Sequence, residues 1–490
     1  MKSRWPIGEP AMAGRAVLDA WLYGTRIGVL SEPKYGKLRF DFTEDAEDRF
    51  RLGSSVLSVS MPVDARQRPR GDLASHFFDG LLPEGKARDS ITTRFSLQRG
   101  DDYGLLAAIG RESAGALIIW SQDVPLDTVP IAPRPLHPGE LERLISELDL
   151  RPLGSDDGVR ASLPGLQDKL LLVRLPSGEW ARPGSWPSTH ILKPQDMRLP
   201  DYARAEAFCL GLAGQLGLTS IEPEIINADG RPVIVVPRYD RTALPTGAAG
   251  RLHQEDACQA LGIASVGKYE KNGRPSLRAF AKVLADHCRE NDREQLLALT
   301  TLNVAVGNAD CHAKNVSILH YDDGTSALAP AYDISPTTFY RAVLTEAGLR
   351  DMSDVLGMNI AGKSSIHKVA TIDLIEEASS WGLARPIATR IVKGTLDTLR
   401  GCLGQCAESV GVIDPIAHYV EGRVRALSGG SLAGDGDTGM DVSEVFQMMA
   451  DPPLRLSTQK PSGQATSAVS GSPQIPISRQ DAVGPKNIGG

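Results

Sequence analysis

Three polar side chains in the second half of the chain have the types and the spacing that phosphoryl transfer requires. Asp310 is followed five residues later by Asn315, and Asp333 comes eighteen residues after that, at the end of an apolar stretch that predicts a strand. Phosphoryl transfer needs a carboxylate that orients or deprotonates the attacking hydroxyl, and oxygen ligands that hold Mg²⁺ on the phosphates, as in protein kinases. The spacing therefore predicts Asp310 as the catalytic base, and Asn315 and Asp333 as metal ligands.

Two further side chains of the same loop could assist this chemistry. Lys314 could neutralise the transferred phosphate, and His312 could brace the loop. The alternative is that Asp310 and Asn315 only cap turns, as such residues often do. The later aspartate after an apolar stretch favours the functional interpretation.

A phosphate-covering loop is predicted upstream, in the segment VRASLPGLQDKLLLV (159–173). The segment has the pattern of a strand, a glycine-containing turn and a second strand, in which backbone N–H groups can face phosphates. Pro164 has no N–H to offer, and a plain β-hairpin fits the segment equally well when it is taken alone.

Lys193 lies on the next apolar strand, THILKP (189–194). A lysine there is costly to bury unless it is paired, and phosphates together with Glu206 on the following predicted helix would pair it. The alternative is an edge-strand lysine whose ammonium group reaches solvent. The later strand VIVVPRYDR (233–241) leads into a proline-containing connector, which suits a hinge between two lobes whose backbone groups could bind adenine.

One segment has the glycine–lysine spacing of a different nucleotide site. GIASVGKY (262–269) matches the start of a P-loop, but Tyr269 stands where that loop requires Ser or Thr to bind Mg²⁺. The preceding residues QEDACQALG predict a helix rather than a strand. We therefore reject a P-loop nucleotide hydrolase.

The elements that must position these residues predict an α+β protein with a two-lobed, protein-kinase-like fold. An N-terminal α+β subdomain is expected, with strands at VLDAWLYG, GKLRFDF and SSVLSVSM and a helical stretch around HFFDGLLPEGKARDSI. The tail is expected to be disordered, because its Gly, Ser, Pro, Gln and Asp cannot bury enough apolar surface to offset the entropy of ordering. The predicted parts are the N-terminal subdomain (1–121), a Pro-rich linker and helix (122–149), a strand-rich lobe with the ATP loop (150–245), a helical lobe with the catalytic loop (246–427) and the tail (428–490).

Composition limits the class of protein. A chain of 490 residues is long enough for two or three domains, and a net charge of −7 gives no global electrostatic case for nucleic-acid binding. The N-terminus has no apolar core for a signal peptide, and no apolar run is long enough to cross a membrane. Scattered cysteines fit reduced thiols, so we expect a cytoplasmic protein without a membrane partner.

Several segments resemble those of HipA-like toxin kinases in order and spacing. They are RASLPGLQDK, THILKP, RLHQEDACQALGI, GNADCHAKN and YDIS, together with FFDGLLPEG and GLLAAIGRESAGAL near the N-terminus. The resemblance covers roughly residues 15–420. It implies a serine/threonine protein kinase with ATP and Mg²⁺, acting as the toxin of a toxin–antitoxin module. The implied partners are a protein substrate, in some members an aminoacyl-tRNA synthetase, and a small helix-turn-helix antitoxin. Operator DNA would be bound indirectly through that antitoxin, with which the toxin represses its own operon.

The resemblance also implies specific site residues. It puts the catalytic base at Asp310, the metal ligands at Asn315 and Asp333, and an inactivating autophosphorylation at Ser162. The ATP-binding residues that it implies are Pro164, Gly165, Leu166, Gln167, Asp168, Lys169, Lys193, Pro237, Arg238, Tyr239, His312, Lys314, Asn315, Tyr332 and Asp333. Pro164, Cys311 beside the catalytic aspartate and the long tail depart from the family pattern.

Two alternatives remain at the level of the sequence. One is a catalytically silent pseudokinase that serves only as a co-repressor; the presence of Lys193, Asp310, Asn315 and Asp333 argues against it. The other is a small-molecule kinase of the aminoglycoside or choline type, which shares the spacing of the Asp–Asn loop. The N-terminal domain and the loop serine favour the toxin family.

Phosphorylation of Ser162 should prevent nucleotide binding. The modification would add about −1.5 to −2 charges to a site that must receive ATP phosphates, so it should repel ATP or displace the loop. The test compares the ATP affinity of phosphorylated and phosphatase-treated protein, with the modification verified by mass spectrometry. Equal affinity in the two forms would exclude the switch.

Overall fold

The structure, a computed structural model, describes residues 15–123, 131–148, 168–244, 248–346, 352–437 and 445. Ser162 and the first four residues of the predicted ATP loop, 164–167, lie outside the described residues. Among the described residues, no helix combines the length and the apolar character needed to cross a membrane.

The N-terminal domain is an antiparallel sheet covered by helices. Its elements are β1 (Leu18–Leu22), β2 (Thr25–Lys34), β3 (Lys37–Phe42), α1 (Glu44–Phe50), α2 (Leu73–Asp79), α3 (Gly85–Arg94), α4 (Asp102–Ile109) and β4 (Ile118–Ser121). The strands pair in the order β3-β2-β1-β4. Alternate residues of β1 (Leu18, Ala20 and Leu22) are fully buried, as expected for a sheet with one face on a core.

Two details of the predicted N-terminal subdomain differ from the structure. The stretch SSVLSVSM (54–61) was predicted as a strand but forms none; instead, Ser58 Oγ and the Val59 N–H donate to the buried carboxylate of Glu255. The helical stretch at 76–91 is divided between α2 and α3 by residues 80–84. Both differences arise because these residues contact the rest of the chain rather than the subdomain alone.

The first lobe is a second antiparallel sheet. Its elements are β5 (Arg134–Pro135), α5 (Glu140–Ser146), β6 (Leu170–Arg174), β7 (Trp180–Arg182), β8 (His190–Pro194), α6 (Tyr202–Gln215), β9 (Glu224–Ala228) and β10 (Arg231–Pro237). The strand order is β5-β7-β6-β8-β10-β9. The strands predicted at THILKP and PVIVVP and the helix predicted at 202–217 are confirmed.

Part of the predicted linker belongs to this lobe. β5 pairs with β7, and α5 buries Leu144 and Ile145 in the core of the lobe. Residues 131–139 are mostly exposed, as expected for a linker. The helix predicted in this region is present as α5, and it packs on the sheet through its apolar side chains.

The second lobe is mostly helical but carries short strands that were not predicted. Its elements are β11 (Arg241–Ala243), β12 (Ala249–Arg251), β13 (His253–Asp256), α7 (Ala257–Ala260), α8 (Leu277–His287), α9 (Asp292–Val306), β14 (Ser317–His320), β15 (Ser326–Leu328), α10 (Thr337–Glu346), β16 (Val355–Ile360), β17 (Lys363–Ser365), α11 (Thr371–Ser380), α12 (Arg385–Val410) and α13 (Asp414–Ser428). Strands β13, β14 and β15 form a small sheet that carries the catalytic loop. The hairpin β11–β12 spans the predicted boundary at residue 245.

The disordered tail was predicted to begin at residue 428, but ordered structure continues to Asp437. A 3-10 turn at Ala433–Asp437 packs against α13, and Ala433 is fully buried. The two backbones meet closely, since a Cβ on Gly422 would lie 2.3 Å from the carbonyl oxygen of Gly436. The Asp437 carboxylate accepts hydrogen bonds from Arg423, whose side chain is fully buried. The charge pair orders a segment whose composition alone indicates disorder. Residues 438–444 and 446–490 lie outside the described residues.

Replacing Asp437 should destabilise the second lobe. Asp437→Ala leaves the Arg423 guanidinium buried without its carboxylate, and removing one partner of such a pair costs about 3 kcal/mol. The control is Asp397→Ala, because Asp397 pairs with Arg400 at the surface, where ion pairs contribute at most about 1 kcal/mol. In thermal unfolding, the melting temperature should fall clearly for Asp437→Ala and stay unchanged for Asp397→Ala. Equal melting temperatures would mean that the segment does not stabilise the lobe.

Candidate active site

The predicted site residues meet at a cavity of about 300 Å³. Both lobes and the N-terminal domain line it, and Gly80, Leu81 and Glu84 are among the contributions of that domain. The predicted residues that line the cavity are Lys169, Lys193, Pro237, Arg238, Tyr239, Asp310, His312, Lys314, Asn315, Tyr332 and Asp333. Asp168 is described but is not part of this lining.

Lys193 occupies the centre of the ion pairs in the cavity. It lies on β8 opposite Ile234 of β10, and its Nζ donates to Glu206 Oε1 at 2.6 Å and to Asp333 Oδ1 at 2.8 Å. Burial alone would lower the pKa of Lys193, but Asp333 and Glu206 raise it above its ordinary value. The predicted pairing of Lys193 with Glu206 is therefore present, and the ammonium group stays charged.

Asp333 faces the cavity from a strained backbone position. Its φ is +56°, in the left-handed region, and β15 ends at Leu328, so the apolar stretch before Asp333 is not a continuous strand as predicted. Lys193 lowers the pKa of Asp333, against the effect of burial. The carboxylate is thus ionised and available as a metal ligand.

Lys169 brings a second cation to the same place. Burial, and after it the charge of Lys193, lower the pKa of Lys169 to about 8. Two adjacent ammonium groups in a partly enclosed cavity form a site for a polyanion.

The catalytic loop begins where α9 ends at Val306. The exposed side chain of Asp310 lies at the cavity, and its backbone carbonyl accepts hydrogen bonds from the His312 N–H and from Asn315 Nδ2, both at 2.8 Å. The Asn315 side-chain nitrogen is therefore engaged within the loop, and its amide oxygen is the atom suited to bind a cation.

Lys314 does not have the environment predicted for a phosphate ligand. Its buried Nζ donates to Asp256 Oδ2 at 2.9 Å and to the Gly80 carbonyl at 3.0 Å. These contacts engage two of the three N–H groups of Lys314, and the one to Gly80 connects the predicted catalytic loop to the N-terminal domain. His312 is buried beside it, and burial lowers the pKa of its imidazole.

The predicted hinge uses most of its polar groups internally. The Arg238 N–H donates to the Thr189 carbonyl at 2.9 Å, and its guanidinium is buried between Glu112 and Asp240. Pro237 has no N–H. Tyr239 stacks on Tyr332 with ring centroids 5.4 Å apart, and the Tyr332 hydroxyl donates to the Lys314 carbonyl.

The sequence analysis missed two residues that contact the predicted catalytic aspartate or lie close to it. The Tyr269 hydroxyl donates to Asp310 Oδ1 at 2.7 Å, and Lys268 Nζ donates to Glu84 Oε2 at 2.8 Å. Both belong to GIASVGKY, whose tyrosine was considered only as a mismatch to a P-loop. No local pattern could have revealed the contacts, because Glu84 and Asp310 are distant along the chain.

The oxygen donors fit a magnesium ion that is shared with phosphates. Among the described residues, no group of three or more His, Cys, Asp or Glu side chains is arranged to hold a metal. Mg²⁺ is commonly held by one or two carboxylates with substrate phosphates and water. Asp333 and the amide oxygen of Asn315 match that requirement.

Comparisons with known proteins agree over most of the chain. Residues 18–120 match the family model described as the HipA N-terminal domain, and residues 161–402 match the HipA-like C-terminal domain. The protein named "Putative kinase Y4mE" of Sinorhizobium fredii is 33% identical over 404 residues, covering 80% of this chain and 92% of that protein. The chain belongs to the HipA family.

Further HipA relatives come from Shewanella oneidensis. Its serine/threonine-protein kinase toxin HipA is 28% identical over 377 residues, covering 73% of this chain and 83% of that protein. A solved complex of HipA, HipB and operator DNA from that organism has a chain that superposes with a TM-score of 0.69 at 24% identity, covering 86% of this chain and 99% of that one. The predicted two-lobed, kinase-like α+β fold is thereby confirmed.

Removing Lys193 should lower the free energy of unfolding, because a buried carboxylate then loses its cation. Lys193→Met leaves Glu206, whose side chain is only 2% exposed, without its cation, and breaking a buried pair costs about 3 kcal/mol. The double variant Lys193→Met/Glu206→Met removes both charges and should recover more than half of that loss. Chemical denaturation of the three proteins measures the difference. A double variant no more stable than Lys193→Met would contradict the pairing.

Proposed function

We propose that this chain is an ATP- and Mg²⁺-dependent serine/threonine protein kinase and the toxin of a toxin–antitoxin module. The observation that carries the proposal is the convergence of Lys193, Asp310, Asn315 and Asp333 on one cavity between the lobes. Phosphoryl transfer depends mainly on positioning and on electrostatic stabilisation, which this set of groups can supply. Relatives named as kinases support the same activity.

Asp310 acts as the base in this proposal. Its carboxylate accepts the proton of a Ser or Thr hydroxyl as the hydroxyl oxygen forms a bond to the γ-phosphorus of ATP. The bond from that phosphorus to the β-phosphate oxygen breaks, and ADP leaves with the electron pair. Because the Asp310 side chain is exposed at the cavity, an acceptor on the surface of another protein can reach it.

Lys193, Lys169 and the metal ligands bind the phosphates. Asp333 and Asn315 would hold Mg²⁺, which supplies charge neutralisation on the phosphates when it is bound. Lys193 is held at its position by Glu206 and can exchange part of its contact with Asp333 for a phosphate oxygen. The pairing thus keeps the cation oriented before the nucleotide arrives.

Adenine recognition falls to fewer hinge groups than the sequence suggests. Pro237 has no N–H, and the Arg238 N–H donates to the Thr189 carbonyl. The Tyr239 N–H and the hinge carbonyls are therefore the groups suited to bind the edge of a purine. The Arg238 side chain has a structural role in this proposal and does not bind ATP.

The family supports partners beyond the nucleotide. A HipA chain of Shewanella oneidensis is present in a complex with HipB and operator DNA. We propose that this chain likewise binds a small helix-turn-helix antitoxin, and binds operator DNA through it as a co-repressor. Its substrate is proposed to be a translation-related protein of the aminoacyl-tRNA synthetase class, and Ser162 is proposed as its autophosphorylation site.

Loss of the base or of a metal ligand should abolish phosphoryl transfer without unfolding the protein. Asp310→Asn and Asp333→Asn should each lower kinase activity by ~10²–10⁴-fold. The control Asp286→Asn changes a carboxylate on α8 that forms a surface ion pair with Lys282. Activity is measured as phosphate transfer from labelled ATP to proteins and to metabolites of a cell lysate.

The distribution of label separates the alternative functions. Labelled protein in the wild-type reaction, lost in both variants, is the expected result. A labelled metabolite would indicate a small-molecule kinase, and the absence of any labelled product would indicate a pseudokinase. Undiminished activity of Asp310→Asn would contradict the assignment of the base.

A further inference from the structure

Tyr269 binds the proposed base directly and is next in the chain to Lys268, which lines the cavity. Its hydroxyl donates to Asp310 Oδ1 at 2.7 Å, and the residue is 47% exposed. Within the described part of the chain, the Asp310 carboxylate has no other hydrogen bond, since Asn315 and His312 bind its backbone carbonyl instead. The orientation of the carboxylate therefore depends on Tyr269.

The segment around Tyr269 is held from both sides of the catalytic loop. The ring packs edge-on against His312 with centroids 5.1 Å apart. The Lys268 carbonyl accepts from the Ala313 N–H at 3.1 Å, and the Glu270 N–H donates to the Gly357 carbonyl at 2.7 Å. Gly357 approaches the loop so closely that a Cβ there would lie 2.6 Å from the His312 backbone nitrogen. The position of the phenol is thus fixed by backbone contacts rather than by its own rotamer alone.

The N-terminal domain reaches this segment through one carboxylate. Glu84 Oε2 accepts from Lys268 Nζ at 2.8 Å. Glu84 Oε1 is buried, has no hydrogen-bond partner among the described residues, and lies 3.9 Å from Lys314 Nζ. Glu84 of the N-terminal domain therefore contacts both Lys268 and Lys314.

We propose that Tyr269 is the positioning residue that orients the Asp310 carboxylate, and that Glu84 of the N-terminal domain holds Tyr269 in place through Lys268. This inference rests on the proposed function, because it takes Asp310 as the base. With Oδ1 engaged by the phenol, Oδ2 is the oxygen that accepts the proton of the acceptor hydroxyl.

The electrostatics of the phenol suit a permanent donor. Burial, and after it the neighbouring Asp310, raise the pKa of Tyr269 above its ordinary value. The hydroxyl consequently keeps its proton at neutral pH, and it donates to the carboxylate without competing for the proton that is transferred in the reaction.

The first test removes only the hydroxyl. Tyr269→Phe should lower kcat about 10- to 100-fold, because a misaligned base loses part of the ~10²–10⁴-fold that general-base catalysis contributes. The KM for ATP should stay unchanged, and so should the melting temperature, because Tyr269 is 47% exposed. The control Tyr35→Phe removes the hydroxyl of an exposed tyrosine. Among the described residues this hydroxyl makes one weak hydrogen bond, at 3.4 Å to the Arg99 carbonyl, so all three quantities should stay unchanged.

Two results would overturn the role of Tyr269. One is an unchanged kcat in Tyr269→Phe. The other is a loss of kcat that comes together with a higher KM for ATP or a lower melting temperature, since this would show a general structural role. Inactivity of wild type, or undiminished activity of Asp310→Asn, would instead contradict the proposed function, so the two failures are distinguishable.

The second test examines the link to the N-terminal domain. Glu84→Gln should lower kcat in the wild-type background, but should have little further effect in Tyr269→Phe, because both changes remove the same constraint on Asp310. A double-mutant cycle in kcat measures this coupling. Additive effects of the two substitutions would show that Glu84 acts independently of Tyr269, and would overturn the link.

Discussion

The buried ammonium group of Lys193 is the interaction on which the arrangement of the two lobes depends. It joins Glu206 on the helix of the first lobe to Asp333 in the second, so one cation connects carboxylates that are far apart in sequence. A charge buried to this extent is tolerated only when its partners are in place. The backbone positions of β8, of α6 and of the segment after β15 must therefore be compatible with one another. This constraint creates a cavity that is charged and polar in an otherwise apolar interior.

The N-terminal domain forms buried ion pairs and hydrogen bonds with both lobes. Glu112 is buried among Arg238, Arg241 and Arg251 at the point where the two lobes join. Burial alone would raise the pKa of Glu112, but Arg251, Arg241 and Arg238 lower it to about 2. The domain also supplies the Gly80 carbonyl to Lys314. Its polar groups bind buried cations of both the hinge and the predicted catalytic loop. Separating the domain would therefore leave Arg238, Arg241 and Lys314 paired only with Asp240 or Asp256.

Sequence patterns were most informative where the chemistry is local. Elements with strong periodicity, such as α6 and β10, were predicted close to their observed bounds, since they depend on residues near one another in the chain. The predictions were wrong where a segment takes its structure from a distant partner. Val59 binds Glu255 instead of a neighbouring strand, and Asp437 orders a segment of disorder-like composition by pairing with Arg423.

The sequence alone was enough to predict the class of fold and to propose a class of reaction. The spacing of Asp310, Asn315 and Asp333 and the lysine on an apolar strand favour phosphoryl transfer, because that reaction needs those groups together. Only the tertiary structure decided which groups are free to act. In the folded chain, Lys314 and the Arg238 side chain bind groups of the N-terminal domain. Tyr269 contacts Asp310, the predicted base. Buried polar groups need hydrogen-bond partners, and the partners here come from parts of the chain that are far apart in sequence.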